Sequence, residues 1–316
     1  MTHKAAVVGA GYMGGGIAQI LALAGMRVAL ADVSADIARR SLDRVLDEAR
    51  AFESAGLMPA GAAATVERNV WAAPTAEEAV ADGQFIMEAV PEIIGVKHAV
   101  LKRLSAAAPS DAVIASNTST ISIGKLAVAV GNPERFLGIH FMNPAQFVPG
   151  VEVVPHAATS PRAVESARAI LDAAGKRHAT IKDSTGFVVN RLQYALFSEA
   201  VRLVEEGVAT PEAIDTLVRT SFGFRLPFFG PFAIADMAGL DVYALCYESL
   251  ESAFPERFAM PEMLRQLVDA GDVGTKVGSG FFQVPPERIA ELVSYRNTAY
   301  SRLQRLTEEL GPAPLD

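Results

Sequence analysis

The chain of 316 residues has one cysteine, Cys246, and one tryptophan. A lone thiol excludes a disulfide framework and a Cys-rich metal site, and it suits a reducing compartment. No metal is expected. Basic charge is also short, with 28 Lys and Arg against 36 Asp and Glu and a net charge of −8. No basic surplus exists to neutralise a phosphate backbone, so a nucleic-acid partner is not expected. Any anionic ligand must be met locally, by a few basic groups or by backbone N–H groups. Long uncharged runs are scarce as well. The one from Ala5 to Met26 could pass for a membrane span or, following Lys4, a signal peptide. Glycine argues against both, because Gly9, Gly11, Gly14, Gly15, Gly16 and Gly25 fall inside it. No other targeting segment is visible, so a cytoplasmic protein without membrane association is expected.

What is present reads as an ordinary globular protein. Hydrophobic residues make up 50% and charged residues 20%, too apolar a balance for disorder. At roughly 150 residues per domain, the length suggests about two domains. The first half alternates short apolar runs with helical stretches. Strands are expected at Ala5–Val8, Arg27–Ala31, Asn69–Ala72, Phe85–Val90, Val113–Ala115, Phe136–Phe141, Val151–Val154 and His178–Ile181. Helices are expected from Gly14 to Ala24 and from Ser34, as cap, to Ser54. Such alternation predicts a mostly parallel sheet covered on both faces. After Asp183 the β-branched runs stop. Val188, Leu192, Ala195, Leu196, Val201 and Val204 then form one apolar helical stripe, open to use as core or as a dimer face. The expected fold class is therefore α/β over residues 1–184, followed by an all-helical domain over 185–316.

The first strand ends in Gly9-Ala10-Gly11-Tyr12-Met13-Gly14. A GxGxxG motif carries weight only in context, and here strand, turn, helix and second strand are in place, with Asp32 ending the second strand. The first glycine permits the turn, the second admits a pyrophosphate, and the third lets helix pack on strand. The helix N-terminus offers free N–H groups to the phosphates. Asp32 stands where an acid accepts hydrogen bonds from ribose hydroxyls and repels a 2′-phosphate, which favours NAD over NADP. Arg39 and Arg40 lie further along the next helix and could weaken that preference. A Rossmann-type NAD domain follows from this pattern.

Of five histidines, His3, His98, His156 and His178 lie in polar or terminal surroundings and are expected to be mostly solvated. His140 lies in an apolar strand, and twelve residues later Glu152 lies in another. A carboxylate there needs a partner. Two strands joined by a Pro-containing loop could set the groups side by side as a general base and its orienting acid. The pattern equally suits a core histidine beside a structural acid. Ser119, in a polar cluster closing a strand, and Asn190, at the first turn of the helical region, could donate to a substrate oxygen or simply cap their elements.

Together these segments resemble the 3-hydroxyacyl-CoA dehydrogenase family over nearly the whole chain. The resemblance rests on GAGYMGGGIA from Gly9, EAVPE from Glu88 with Lys97, SNTS from Ser116 and HFMNP from His140. VEVV from Val151, DSTGFVVNR from Asp183 and KVGSGFF from Lys276 complete it. It implies His140 as catalytic base, Glu152 as its carboxylate partner, and Ser119 and Asn190 on the substrate oxygen. It further implies Gly9, Gly11, Gly14 and Asp32 at the NAD site, with Tyr12 and Met13 in the same turn. Glu92, Lys97, Asn143 and Lys276 are implied as further cofactor contacts. The implied activity is reversible oxidation of an L-3-hydroxyl to a 3-keto group on a 3-hydroxyacyl-CoA or related 3-hydroxy acid. A homodimer and a small-molecule substrate are implied too.

One stretch departs from the family pattern. The helix after the second strand contains no lysine between Asp43 and Gly56, where acyl-CoA members commonly meet the CoA nucleotide. Arg44 and Arg50 would have to compensate the phosphate charge. The segments GFVVNRLQYA from Gly186 and RLVEEG from Arg202 resemble the lambda-crystallin branch, whose members act as L-gulonate 3-dehydrogenases. FRLPFFGP from Phe224 is longer and more aromatic than the family's turn there, and Arg225 could hold a substrate carboxylate or be a plain surface residue. A free acid such as L-gulonate, or another non-CoA alcohol, is the alternative substrate. From a different class, the crystallin resemblance also admits an NAD-binding structural protein without turnover.

Overall fold

The computed structural model describes residues 4–314. The chain divides into two compact units, Met1–Leu196 and Phe197–Asp316. The first unit opens with β1 (Lys4–Val8), α1 (Tyr12–Leu23), β2 (Arg27–Ala31), α2 (Ala35–Ser54), α3 (Ala62–Asn69) and β3 (Val70–Ala72). It continues with α4 (Ala76–Val80), β4 (Phe85–Glu88), α5 (Ile94–Ala107), β5 (Val113–Ser116) and α6 (Ile123–Ala127). Then come β6 (Phe136–Phe141), β7 (Gly150–Pro155), α7 (Pro161–Ala173), β8 (Arg177–Thr180) and the start of α8 (Val189–Glu205).

The eight strands form one sheet in the order β3-β2-β1-β4-β5-β6-β7-β8. Only β6 and β7 pair antiparallel. Alternate residues of each strand feed two apolar layers, as the pleat requires. Val7, Leu30, Phe85 and Met87 pack with Ile17, Leu21 and Val45 on one face. Val8, Ile86 and Ile114 pack with Leu101, Leu104 and Ile123 on the other. Burial on both faces explains why these strands read as continuous apolar runs. The strand order reverses between β1 and β4, and ligands of open α/β sheets lie outside the carboxyl ends of strands at such a point. The expected caps are present too, since the Ser34 hydroxyl accepts from the Ile37 amide at the start of α2.

The second unit is helical. After the rest of α8 it contains α9 (Pro211–Thr220), α10 (Phe222–Arg225), α11 (Pro231–Ala238), α12 (Leu240–Ala253), α13 (Glu262–Asp269) and α14 (Pro286–Leu310). Its core is small. Ala235, Leu240 and Leu264 are buried, with Tyr243, Tyr247, Leu267 and Phe281 packed around them. A separate aromatic cluster sets Phe224, Phe228 and Phe229 against Tyr300 of α14. No residue of α8 is buried, so its apolar stripe faces outward rather than into a core. Composition changes near residue 184, whereas the compact units part after Leu196. The start of α8 lies in the first unit, where the Val189 amide and the Val188 amide just before the helix donate to Glu152.

Candidate active site

β6 and β7 place His140 directly opposite Glu152 in antiparallel register. Side chains of opposed residues share one face of the sheet, which puts the imidazole beside the carboxylate. His140 Nδ1 lies 2.8 Å from Glu152 Oε2, and both side chains are buried. The other carboxylate oxygen, Oε1, accepts the amides of Val188 and Val189 at 2.8 and 2.9 Å. Burial raises the Glu152 pKa, but the His140 hydrogen bond, the Val189 and Val188 amides and the His140 charge together leave it below 4.5. The acid is therefore ionised at neutral pH and accepts on both oxygens. In the neutral ring, Nδ1 then carries the hydrogen toward the carboxylate and Nε2 keeps the free lone pair.

Phe187 shapes this corner. Its φ of +50° is left-handed, rare for a bulky residue and costly by about 1–2 kcal/mol. The turn aims the next two amides at Glu152, and the buried ring lies 5.7 Å, centroid to centroid, from the His140 imidazole. The sequence reading passed over it. Gly186 just before it, also left-handed at φ +74°, was the available signal for an unusual turn.

Ser119 and Asn190 meet in the same network. The Asn190 side-chain amide donates to the Ser119 carbonyl at 2.9 Å. The Ser119 amide donates to Glu92 Oε1 at 2.8 Å, as do the Thr120 amide at 2.9 Å and the Thr118 hydroxyl at 2.6 Å. Burial raises the Glu92 pKa. The Thr118 hydroxyl, the Thr120 amide, the Lys97 charge and the Ser119 amide outweigh it and hold the pKa at about 2. Beneath the loop Lys97 is buried and donates to Glu88 at 2.8 Å and to the Val90 carbonyl at 3.1 Å. Glu88 also accepts from the Ser116 hydroxyl at 2.5 Å. Glu88, missed in the sequence, follows the logic applied to Glu152, since a carboxylate in an apolar strand needs partners. In this structure Glu92 and Lys97 brace the Ser119 loop. Asn143 is exposed just after β6. Lys276, in the second unit, pairs with Asp241 at 2.5 Å.

The fingerprint turn fits a dinucleotide. A Cβ on Gly14 would stand 1.8 Å from the Gly9 carbonyl oxygen, and one on Gly9 would strike Ala89 at 2.5 Å. Gly11 faces open space, where a pyrophosphate can approach the backbone. Next to the turn lies a pocket of about 630 Å³, lined by Gly9, Gly11, Tyr12, Met13, Asp32, Val90 and Arg103 among others. Asp32 accepts the Ala10 and Val33 amides, each at 2.7 Å, which fixes its carboxylate beside the turn. Arg44 reaches back from α2 and donates to the Ala10 and Gly11 carbonyls at 2.7 and 3.1 Å.

Arg44 and Arg50, the two groups on α2 that could offset CoA charge, are both engaged within the fold. Arg44 holds the fingerprint turn and Glu48, and Arg50 pairs with Asp47 and Glu67. The remaining histidines are not mainly solvated. His98, His156 and His178 are half-buried, bonded to the Lys125 carbonyl, the Pro133 carbonyl and the Asp172 carboxylate. Half-burial favours partners over water for each ring. His3 lies outside the described residues. Arg225, half-buried at the end of α10, belongs to the second unit.

Among the described residues, no helix is long and apolar enough to cross a membrane. Comparison with known proteins matches residues 4–184 to the family model "3-hydroxyacyl-CoA dehydrogenase, NAD binding domain". Residues 186–284 match "3-hydroxyacyl-CoA dehydrogenase, C-terminal domain". The 5-formyl-3-hydroxy-2-methylpyridine 4-carboxylate 5-dehydrogenase of Mesorhizobium japonicum is 33% identical, over 98% of this chain and 99% of its own. A probable 3-hydroxybutyryl-CoA dehydrogenase of Bacillus subtilis is 35% identical, over 87% of this chain and 95% of its own. The crystal structure of a 3-hydroxyacyl-CoA dehydrogenase from Archaeoglobus fulgidus superposes with a TM-score of 0.78 at 31% identity. That alignment covers 98% of this chain and 99% of the other. The fingerprint and the pocket thus lie within the segment that matches an NAD-binding domain. With both family models matched in order along its length, the chain belongs to the 3-hydroxyacyl-CoA dehydrogenase family.

Proposed function

We propose that this chain oxidises an L-3-hydroxyl to a 3-keto group, reversibly, on a 3-hydroxyacyl-CoA or a related 3-hydroxy acid. The observation that carries the reading is the paired His140 and ionised Glu152, in one unit with the NAD fingerprint. Bound at the fingerprint turn, NAD would supply the hydride acceptor for C3. His140 Nε2 takes the hydroxyl proton, and Glu152 holds the ring's tautomer and offsets the charge that forms on it. The Ser119 hydroxyl and the second hydrogen of the Asn190 amide hold the reacting oxygen. Asp32 and the amides of Gly11, Tyr12 and Met13 hold the cofactor, and Glu92, Lys97, Asn143 and Lys276 are assigned as further contacts to it or supports for them. The intact pair argues against a purely structural protein.

The test is NADH formation with L-3-hydroxybutyryl-CoA and, in parallel, with L-gulonate and other free 3-hydroxy acids. Selective turnover of the thioester is the expected result. No NADH from any L-3-hydroxyl substrate would sink the reading. A second reading, a small free acid held by Arg225, has specific support. Arg44 and Arg50 are engaged elsewhere. Turnover of a free acid alone would select it, and Arg225→Met should then raise KM for that acid with little change for NAD.

Residues 1–184 are assigned as the NAD-binding domain and 185–316 as the substrate and dimerisation domain. A homodimer in the cytoplasm, serving fatty-acid metabolism, completes the proposal. Exposed Leu192, Phe197, Leu217, Leu245 and Met263 support a second copy as partner, since monomers rarely leave so much apolar surface free. A molecular mass of one chain in light scattering would overturn the dimer.

Two cofactor predictions follow from the turn. Asp32→Ala should raise KM for NAD about 10- to 100-fold by removing a charge-assisted acceptor, and it should narrow the preference over NADP. Unchanged cofactor kinetics would remove Asp32 from the site. Arg44→Met should raise KM for NAD by roughly tenfold, because two turn carbonyls lose their donor. Lysine should restore little, since a single ammonium cannot reproduce the planar fork on both Ala10 and Gly11 while holding Glu48. An unchanged KM in Arg44→Met would show that the turn holds itself.

A further inference from the structure

Lys176 follows α7 and stands directly before β8. It is only 7% exposed. Its ammonium donates to the Ala145 carbonyl at 2.6 Å and to the Val148 carbonyl at 2.9 Å. Its partners are thus two neutral oxygens rather than a carboxylate. Burial pulls its pKa below the ordinary lysine value. An ammonium held this way is costly to bury, and helix packing alone offers no reason for it.

The reason lies in what it holds. Ala145 and Val148 belong to the loop 142–149, which joins the strand of His140 to the strand of Glu152. The loop is a tight turn, with the Phe147 and Val148 amides both donating to the Pro144 carbonyl at 3.1 and 3.0 Å. It is fastened at its far side as well. The Gln146 amide donates to Gln19 of α1 at 3.1 Å, and the Phe147 ring meets Phe52 of α2 edge-on at 5.0 Å. The Arg177 amide bonds the Pro149 carbonyl at 2.8 Å. Lys176 is the one cation in this set, and its two acceptors bracket Gln146 and Phe147. Asn143 stands at the loop's open end.

We propose that Lys176 is a positioning residue, whose ammonium fixes loop 142–149 and thereby sets Asn143 and the His140–Glu152 pair relative to the fingerprint helix. The proposal rests on His140 being the base. It goes beyond that assignment by tying the base to a buried cation that touches neither substrate nor cofactor. Lys176 also lines a surface cleft of about 310 Å³ together with Gln146, Met58 and Ala173. The cleft gives a small amine an approach to position 176.

The test compares Lys176→Met, Lys176→Ala and Lys176→Arg in the full chain. Hydrogen exchange over residues 142–149 should accelerate in Lys176→Met, with Tm lowered by no more than several degrees. Its kcat should fall about 10- to 100-fold, the cost of a base displaced by about an ångström. Ethylammonium should return part of the turnover of Lys176→Ala, and Lys176→Arg should retain more activity than Lys176→Met. Wild-type exchange and turnover in Lys176→Met would overturn the proposal. So would lost turnover with unchanged loop exchange, or a general fall in stability that neither ethylammonium nor arginine relieves. The exchange measurement needs no substrate, so a failure of the dehydrogenase reading would show in wild-type turnover and leave the loop result separate.

Discussion

Replacing His140 with glutamine is expected to lower kcat by about 10³-fold while leaving the NAD dissociation constant within about twofold. Glutamine approximates the reach of the imidazole, and its carbonyl can accept a hydrogen bond, but it cannot take a proton near neutral pH. The fingerprint turn, Asp32 and Arg44 bond one another without His140, so the cofactor site should survive. Because His140 is buried against Phe187 and Glu152, the variant must be shown to fold by its thermal transition before kinetics are read. Turnover near that of the wild type would remove His140 from the chemistry. Equal loss of NAD affinity and turnover would instead make it a structural residue.

How much of this could be read from the sequence depends on whether a feature is local. The strand series, the fingerprint and the capping Ser34 were legible, because each is a pattern within about twenty consecutive residues. The His140–Glu152 pair was legible as a suspicion, since a carboxylate in an apolar strand needs a partner. Antiparallel register supplied the missing fact. What stayed hidden was assembled across distance. Arg44 sits on a helix that looks like a solvated face, yet its guanidinium closes on a turn 34 residues earlier. Lys176 looks like a helix-end lysine exposed to water. Glu92 and Lys97 were read as cofactor contacts from the family resemblance, and only the fold shows them bonded to the Ser119 loop and to Glu88. The apolar stripe of α8 was correctly seen as apolar, but periodicity alone gives no partner for it, and in one chain it faces outward.

Glu152→Gln should be the second large effect, and it should separate geometry from charge. The carboxylate accepts on both sides, from the Val188 and Val189 amides through Oε1 and from His140 through Oε2. A glutamine has one acceptor. If its oxygen stays on the two amides, its NH2 faces His140 Nδ1, which must then accept. The ring's hydrogen moves to Nε2, and the lone pair that should receive the substrate proton is gone. If the amide turns the other way, two backbone donors face an NH2 group and lose their acceptor, at a cost of about 1–3 kcal/mol. Either way kcat should fall about 10²- to 10³-fold. The variant should also lose stability, and pH should reveal why. The Glu152 pKa lies below 4.5 in the folded protein, so the ionised carboxylate stabilises the fold at pH above the unfolded value. That contribution fades as pH falls from about 4.5 through the lower folded value. The Tm gap between wild type and Glu152→Gln should therefore be widest near pH 7 and should shrink toward pH 3. A gap that stays constant across that range would show that charge on Glu152 does not stabilise the fold.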